Sequence, residues 1–196
     1  MSRVEAVTWM QRELVVKARD GDMDAYSDLV RLAHPRLFNV ARLILRDSDR
    51  AQDAVQDALL LAWRHVRSLR NPDAWDAWLH RLTVRACYKL AKEGRRRREI
   101  EVNVDPDPAM ARVPDASTDV AEREWLMTEL GQLDIDRRAV VVLHYYLDLT
   151  IDQVADVLDI PRGTAASRLY RGLDQLRASL STESGPATDP SAERAP

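Results

Sequence analysis

The stretch of sequence that decides the fold lies at residues 150–172 and reads TIDQVADVLDIPRGTAASRLYRG. Thr150 is a suitable N-cap for a short helix, because its hydroxyl can accept a hydrogen bond from a backbone N–H of the first turn. Asp159 follows where the chain must turn sharply, and aspartate tolerates left-handed dihedrals better than most residues other than glycine. Pro161 suits the first turn of a second helix. The pattern therefore predicts two helices joined by a tight turn.

Each predicted helix has one apolar face. The apolar positions are Ile151, Val154, Ala155 and Leu158 in the first helix, and Ala165, Leu169, Leu173 and Leu176 in the second. The polar side chains left on the second helix are Arg162, Thr164, Ser167, Arg168 and Arg171. This is the layout of a helix-turn-helix, whose second helix presents its N-terminal residues to the DNA major groove. Arginine can read guanine edges, and hydroxyl groups suit phosphate or base contacts.

A solvated helical hairpin with a basic face is the alternative that the pattern alone leaves open. Residues 161–180 carry four Arg and one Asp, inside a unit (residues 122–180) whose net charge is −3. That local excess of positive charge favours DNA as the partner.

The rest of the chain predicts an all-α protein, because helical periodicity dominates and glycine is scarce. The first half is expected to hold helices at about residues 11–20, 23–46, 50–69 and 73–93. Gly21, Asn71-Pro72 and Gly94 are the expected breaks, and Asp49 is the expected cap of the third helix. The second half is expected to hold helices at about residues 121–132, 136–147, 150–158 and 161–179.

The charge pattern divides the chain into two small helical domains joined by an acidic flexible linker. Residues 1–98 carry 20 Lys/Arg against 13 Asp/Glu, although the whole chain has a net charge of −3. Residues 99–121 contain three prolines and a net charge of −5, so this stretch is predicted to be the linker. Residues 122–180 form the predicted second domain. Residues 181–196 are polar and rich in proline, and are predicted to be a disordered tail.

Composition excludes several classes of function. A single cysteine, Cys87, argues against a disulfide framework, a zinc site and thiol redox chemistry, and its position suggests a buried small side chain. No apolar run approaches the ~20 residues that a membrane span needs, and the first residues lack a signal-peptide core. The four histidines are scattered. We therefore expect a cytoplasmic protein that is not an enzyme and has no metal or cofactor.

Residues 163–176, GTAASRLYRGLDQL, resemble the recognition-helix signature of bacterial sigma factors of the extracytoplasmic-function (ECF) group of the sigma-70 family. That signature typically reads Gly-Thr-Val-Lys-Ser-Arg-Leu-x-Arg. Ala165 and Ala166 replace its Val and Lys, which removes one cation from the expected phosphate contacts. The usual turn glycine is Asp159 here, and the usual Leu-Pro that opens this domain reads Leu133-Asp134.

Two further segments resemble the same family. Residues 49–66, DRAQDAVQDALLLAWRHV, are similar to the ECF region-two helix at Asp53, Val55, Gln56, Ala62 and Trp63, with Asp57 in place of Glu. Residues 75–90, WDAWLHRLTVRACYKL, are similar to the aromatic-rich segment that melts the promoter. The family often has Asn and Asp where this chain has Arg85 and Lys89. The three matches follow the family order around the predicted linker.

The resemblance implies a transcription initiation factor that binds core RNA polymerase and promoter DNA. The region-two helix is then expected to bind polymerase through Asp53, Gln56, Asp57 and Leu60. The minus-ten element is expected to be contacted by Ser68, Asn71, Arg81, Arg85, Lys89, Lys92 and Arg95. The minus-thirty-five element is expected to be contacted by Arg162, Thr164, Ser167, Arg168 and Arg171.

The resemblance also implies regulation by an anti-sigma protein and association with the nucleoid when the factor is active. Base capture requires unstacking and a pocket, and we assign it to the loop at residues 68–71. Trp75 and Trp78 could stack on bases, but they share a stripe with Leu79 and Leu82, which favours core packing. The acidic linker could thread the nucleic-acid channel of the polymerase.

Two other classes of function stay open at this point. One is a helix-turn-helix regulator that does not recruit polymerase, although residues 1–98 resemble neither a dimerisation nor a ligand domain. The other is an all-helical interaction scaffold, which leaves the arginine pattern at residues 162–171 unexplained. Polymerase binding separates the sigma-factor hypothesis from both.

Overall fold

The computed structural model describes the backbone of residues 3–101 and 118–183, and the side chains of residues 9–96 and 125–179. Within these ranges the chain forms eight α-helices and no strand, which confirms the all-α prediction. The helices are α1 Arg3–Arg19, α2 Met23–Leu45, α3 Ser48–His65, α4 Trp75–Glu101, α5 Thr118–Gln132, α6 Ile135–Tyr145, α7 Ile151–Leu158 and α8 Arg162–Glu183. Residues 102–117, most of the predicted linker, and residues 184–196 of the predicted tail lie outside the described residues.

Helices α1–α4 form an N-terminal unit in which α3 packs against both α2 and α4, and α1 packs against α2. The predicted apolar stripes face inward, with Leu29, Leu37 and Ile44 of α2 at most 1% exposed. An aromatic cluster joins three of the helices, because the ring of Tyr26 lies 4.8 Å from Trp63 and 6.3 Å from Trp75, measured between centroids. Large aromatic side chains of α2 and α3 therefore pack beside the first turn of α4.

Several helix ends differ from those expected. Helix α1 begins at Arg3, well before the expected start near residue 11. Helix α3 begins at Ser48, two residues earlier than expected, because Arg46 ends α2 in a left-handed conformation (φ 58°) and turns the chain at once. Asp47, and not Asp49, then caps α3 by accepting a hydrogen bond from the Arg50 N–H at 3.0 Å.

Helix α4 continues past Gly94, where the sequence predicts an end, and runs to Glu101. Gly94 provides space for the Arg50 guanidinium, which donates a hydrogen bond to the Leu90 carbonyl oxygen. A Cβ at position 94 would lie 2.6 Å from Arg50 Nη2. The glycine therefore serves close helix packing and not helix termination.

Helices α5–α8 form a C-terminal unit with the predicted helix-turn-helix at α7 and α8. Thr150 and Gln153 form a reciprocal capping box at the start of α7, and Asp159 ends α7 with a φ of 56°. Pro161 lies one residue before α8, and its carbonyl oxygen accepts hydrogen bonds from the next turn. The core includes Val157, which the predicted apolar face omitted and which is 3% exposed.

The two units contact each other directly. Helix α6 packs against α2, and α7 packs against α4. The buried side chains of both units belong to one continuous apolar cluster. In this structure, the helix-turn-helix therefore lies against the N-terminal unit.

Candidate functional site

The residues predicted to bind polymerase share one face of α3. Asp53, Gln56, Asp57 and Leu60 follow i, i+3, i+4, i+7 spacing, and all four are exposed. The opposite face, with Ala51, Val55 and Ala62, is buried. Leu60 is 51% exposed, which leaves a large apolar side chain beside two carboxylates. The face therefore combines negative charge with an apolar contact.

An apolar groove of about 480 Å³ lies next to this face, between α2 and α3. We call it the α2–α3 groove, and it is lined by Met23, Tyr26, His34, Gln52, Val55, Gln56, Leu59, Leu60 and Trp63. Tyr26 lies in the groove lining, where its hydroxyl donates a hydrogen bond to the Leu59 carbonyl oxygen. Burial raises the pKa of this hydroxyl to about 12. Sequence reasoning missed this groove, since only Gln56 and Leu60 of its lining belonged to the predicted set.

The cations predicted to contact the minus-ten element form a stripe along α4. Arg81, Arg85, Lys89, Lys92 and Arg95 are spaced by three or four residues, which places them on one helix face. We call this the basic stripe, and from first to last it extends ~21 Å along the helix axis. Four of its members are exposed, whereas Arg81 is partly buried and its Nε lacks a hydrogen-bond partner.

Two members of the basic stripe pair with carboxylates of this chain. Arg85 Nη2 lies 3.4 Å from an oxygen of Asp159, at the turn of the helix-turn-helix. Lys89 Nζ lies 3.3 Å from an oxygen of Asp57 on α3. The second pair joins a residue of the predicted DNA set to one of the predicted polymerase set. Both pairs are largely exposed, so each is expected to be weak and exchangeable.

Ser68 ends the first of two short 3-10 turns between α3 and α4, and Asn71 caps the start of the second. Both side chains are exposed and make local bonds, since Ser68 Oγ donates to His65 O at 2.7 Å and Asn71 Oδ1 accepts from Asp73 N at 3.0 Å. Trp75 is buried and Trp78 is partly buried against the core. The expected core packing of these two rings is therefore found.

The exposed face of α8 lies opposite its buried Ala165 and Leu169. Ser167 and Arg171 point outward from this face, together with Tyr170, whose 67% exposure the sequence reasoning did not single out. Tyr170 could have been recognised, because it directly precedes Arg171 and occupies the variable position of the family signature. Thr164 is partly buried at the edge of the face.

The two other arginines of the predicted set are held by acids of their own unit. Arg162 Nε lies 2.8 Å from Asp152 of α7. Arg168 donates a hydrogen bond from Nη2 to an oxygen of Asp136 on α6 at 3.0 Å, and its side chain is 28% exposed. Arg168 therefore lies at the boundary between the exposed face of α8 and the buried interior of the C-terminal unit.

No group of metal-binding side chains occurs among the residues that the structure describes. In the same residues, no helix is long and apolar enough to cross a membrane. Cys87 is buried, as predicted, and burial raises the pKa of its thiol to about 12. The described surfaces with distinctive chemistry are thus the α3 face with its groove, the basic stripe and the outer face of α8.

Comparison with known proteins agrees with the division of the chain into an N-terminal and a C-terminal unit. Residues 29–97 match the family model for sigma-70 region 2, and residues 123–176 match that for sigma-70 region 4. The chain is 33% identical over 164 residues to the ECF RNA polymerase sigma factor SigM of Mycobacterium tuberculosis, covering 84% of this chain and 81% of that protein. It is 26% identical over 180 residues to the RNA polymerase sigma-H factor of Pseudomonas aeruginosa, covering 86% and 93%.

Solved structures share the fold. A chain in the complex of CnrH with the cytosolic domain of CnrY has a TM-score of 0.67 and 23% identity, covering 89% of this chain and 99% of that chain. A chain in the complex of the sigma factor RpoE with the anti-sigma factor NepR from Bartonella quintana has a TM-score of 0.65 and 23% identity, covering 81% and 98%.

These matches show that the protein is a sigma factor of the sigma-70 type, with a region 2 and a region 4. The chain belongs to the extracytoplasmic-function group of that family. It is a transcription initiation factor that binds core RNA polymerase and directs it to promoters. Sigma factors are not enzymes, in agreement with the expectation from the sequence.

Proposed function

We propose that the three surfaces divide the work of initiation between them. In this division, residues 1–98 bind core polymerase and the minus-ten element, and residues 122–180 read the minus-thirty-five element. Residues 99–121 connect the two domains as an acidic linker, and residues 181–196 form the C-terminal tail. The observation that carries the proposal is the difference in chemistry between the acidic, partly apolar face of α3 and the cationic faces of α4 and α8.

The α3 face supports polymerase binding through Asp53, Gln56, Asp57 and Leu60. Carboxylates favour a basic partner, and the exposed Leu60 beside the α2–α3 groove offers apolar area that a helical partner can bury. Charged residues at the rim mainly affect the association rate, whereas the buried apolar anchor mainly affects the dissociation rate. Leu60 is therefore expected to contribute more affinity than either carboxylate.

The basic stripe supports contact with the minus-ten element along a backbone track. The spacing of its cations along the helix suits contact with successive phosphates, and the cations are Arg81, Arg85, Lys89, Lys92 and Arg95. To bind phosphate, Arg85 must give up its ion pair with Asp159, and Lys89 must give up its ion pair with Asp57. Ser68 and Asn71 precede the helix and expose their polar side chains, and they are assigned to the captured base. Trp75 supports this segment from the core.

The outer face of α8 supports sequence reading at the minus-thirty-five element. Ser167 and Arg171 point outward and are assigned to base edges, while Thr164 lies at the margin. Arg162 and Arg168 are assigned to phosphates, which replace Asp152 and Asp136 as their partners. The C-terminal unit thus positions its two phosphate-assigned arginines with ion pairs from its own helices.

Regulation by an anti-sigma partner completes the proposal. Support comes from the RpoE chain, which shares the fold and was solved with the anti-sigma factor NepR. The factor itself is assigned no catalytic step, cofactor or membrane insertion, and a cytoplasmic location with nucleoid association during initiation. The acidic linker is assigned to the nucleic-acid channel of the polymerase, since its charge resembles that of nucleic acid.

Run-off transcription with purified core polymerase tests the division of work. The template is DNA upstream of the factor's own gene, and complex formation is followed in parallel by co-elution. We expect Asp53→Ala with Leu60→Ala to abolish both transcript and co-elution. Arg171→Ala should abolish the transcript and retain co-elution.

Matched variants control for the loss of charge. Glu13→Ala removes an exposed carboxylate from α1, and Arg177→Ala removes a guanidinium from the later part of α8. Both should behave like the wild-type protein. Loss of co-elution in Arg171→Ala, or normal co-elution in the α3 double variant, would contradict the division proposed here.

A further inference from the structure

Helix α1 packs against both of the short 3-10 turns that flank the loop proposed to capture a base. The first turn is Val66–Ser68 and the second is Pro72–Ala74, so loop 68–71 lies between two segments that α1 contacts. Helix α1 is itself fixed in the core of the N-terminal unit, because Val15 and Ala18 are fully buried. The surfaces proposed to bind polymerase and DNA do not include α1, so its contacts with the two turns need another explanation.

Two side chains of α1 hold the segment that follows the loop. Gln11 donates a hydrogen bond from Nε2 to Asp76 Oδ1, in the first turn of α4, at 2.7 Å. Nε of Arg12 lies 3.9 Å from Oδ1 of Asp73, which belongs to the second 3-10 turn. The backbone N–H of Asp73 donates to Asn71 Oδ1 at 3.0 Å. Arg12 is therefore connected through Asp73 to Asn71, a residue proposed to contact the captured base.

The segment that precedes the loop is held by the core and by the turn between α1 and α2. Val66 and Leu69 are 2% and 8% exposed, and the Leu69 N–H donates to the Val66 carbonyl oxygen at 3.1 Å. The Arg67 side chain lies over Gly21, where a Cβ would be 3.2 Å from Arg67 Nη2. The loop therefore exposes its polar side chains while both of its ends are held.

A loop that is held in one conformation favours base capture for a physical reason. Taking a base out of the stack costs free energy, which the contacts of the captured base must offset. A loop that became ordered only at the moment of capture would also lose conformational entropy, so less of the contact energy would remain. Ordering the loop before the promoter opens avoids this second cost.

We propose that Gln11 and Arg12 are positioning residues for promoter opening, because they hold loop 68–71 in the conformation that captures the base. This inference rests on the proposed assignment of base capture to that loop. Both contacts are at the protein surface, so each is individually weak. Loss of both together is expected to slow opening by about three- to tenfold.

Open-complex formation by the assembled holoenzyme tests this role. A fluorescent base analogue is placed at successive positions of the non-template strand of the minus-ten element, and its signal changes when the base leaves the stack. The α1 double variant, Gln11→Ala with Arg12→Ala, should slow this signal by about three- to tenfold on a duplex promoter. Its co-elution with core polymerase should match that of the wild-type protein, and it should keep a single urea-unfolding transition.

Glu13→Ala with Lys17→Ala is the matched control, because it removes one exposed acidic and one exposed basic side chain from the same helix. This control should open the promoter at the wild-type rate. Arg12→Lys keeps the charge beside Asp73 and should lie between the wild-type protein and Arg12→Ala.

Two further measurements separate positioning from a general structural role. On a template whose minus-ten element is already unpaired by mismatches, most of the unstacking cost is absent, so most of the defect of the α1 double variant should disappear. In a protein that carries Ser68→Ala with Asn71→Ala, the α1 changes should add no further defect, because the loop that they position no longer holds the base. An equal defect on the mismatched template, or an additive defect in the combined variant, would overturn the inference.

A direct contact between Arg12 and DNA is the competing explanation. It predicts that Arg12→Ala lowers the slope of log K against log salt by about 1, whereas a positioning role leaves the slope unchanged. A lowered slope would therefore contradict the positioning role. Opening at the wild-type rate by the α1 double variant would contradict it as well.

The loop variant, Ser68→Ala with Asn71→Ala, separates this inference from the proposed function. If the loop variant slows opening and the α1 double variant does not, only the role of α1 fails. If the loop variant itself opens the promoter normally, the assignment of base capture to loop 68–71 fails, and positioning by α1 fails with it.

Discussion

Helices α4 and α8 are the long helices that carry the proposed promoter contacts of the two units, and different side chains support them. Helix α4 rests on large side chains, among them the buried Trp75 and Leu79. Helix α8 rests on small ones, since Ala165 is fully buried and a Cβ at Gly172 would lie 3.2 Å from Val141 Cγ2. Small contacts let α8 cross its neighbours closely at these positions, whereas large side chains fill the space beneath the start of α4.

The cations on the two helices also differ in their partners. On α8, Arg162 and Arg168 pair with acids of the same unit. On α4, Lys89 pairs with α3 and Arg85 pairs with the other unit. The two paired cations of α8 are therefore held by their own unit, whereas Arg85 of α4 is held by the C-terminal unit.

The largest expected effect concerns the support of α4. Trp75→Ala removes a fully buried ring and should lower the free energy of unfolding by about 3–5 kcal/mol. Urea unfolding followed by circular dichroism measures the loss. Trp78→Ala is the control, because Trp78 is only partly buried and should cost clearly less. Equal losses at the two positions would show that Trp75 is not the main support of the helix.

Lowering the pH should destabilise the packing of α4, and it should not destabilise that of α8. Burial, and secondarily Arg36, lower the pKa of His80 on α4 to about 4, against a small opposing effect of Asp76. Between pH 6.5 and 4 the unfolded chain binds a proton that the folded chain does not, so stability falls as the pH falls. The loss should reach about 3 kcal/mol by pH 4, with no contribution from this group above pH 6.5.

His80→Gln should flatten that part of the stability profile, as measured by urea unfolding at successive pH values. His65→Gln removes an exposed histidine and should leave the profile unchanged. The segment 162–183 contains no histidine. An unchanged slope in His80→Gln would place the acid sensitivity elsewhere.

The next largest effect is expected on promoter binding through the exposed face of α8. Arg171→Ala should weaken promoter binding of the assembled holoenzyme by about 1–3 kcal/mol, and should reduce discrimination at one position of the minus-thirty-five element. Binding to a panel of single-base promoter variants measures both. A uniform weakening across the panel would assign Arg171 to a phosphate and would remove one difference between α8 and α4.

The smallest effect concerns the basic stripe. Lys92→Ala should weaken promoter binding of the holoenzyme equally for all sequences, and should reduce the slope of log K against log salt by about 1. A salt titration with two promoters that differ in the minus-ten element measures this. A loss of affinity that depends on the promoter sequence would instead show that Lys92 of α4 contacts bases, as is proposed for Arg171 of α8.

The sequence predicted the helices and the helix-turn-helix well, because both depend on local periodicity and capping. Thr150 and Asp159 have the conformations that their side chains favour. Gly94 misled the prediction, since its helix penalty of ~1 kcal/mol is outweighed by the close packing of Arg50. Asp47 capped α3 in place of Asp49 because the left-handed Arg46 sets the turn.

The candidate site was predicted in part. The α3 face and the basic stripe follow helical spacing, so Asp53 and Lys92 could be placed from the sequence. The α2–α3 groove and the hydrogen bond from Arg138 of α6 to the Ile44 carbonyl oxygen of α2 could not, since both depend on how helices distant in sequence pack together. Arg168 was assigned to DNA from the family signature, and its pairing with Asp136 becomes visible only in three dimensions.

The pairing of DNA-facing cations with acids of the same chain has a consequence for how the factor is distributed in the cell. A chromosome offers about 10⁶–10⁹ competing non-specific sites, and attraction to them is almost wholly electrostatic. Arg85, Lys89, Arg162 and Arg168 already have carboxylate neighbours in the free factor. Bulk DNA must therefore displace these carboxylates to engage the four cations, which lowers its attraction for the free factor by the small amount expected of exposed pairs.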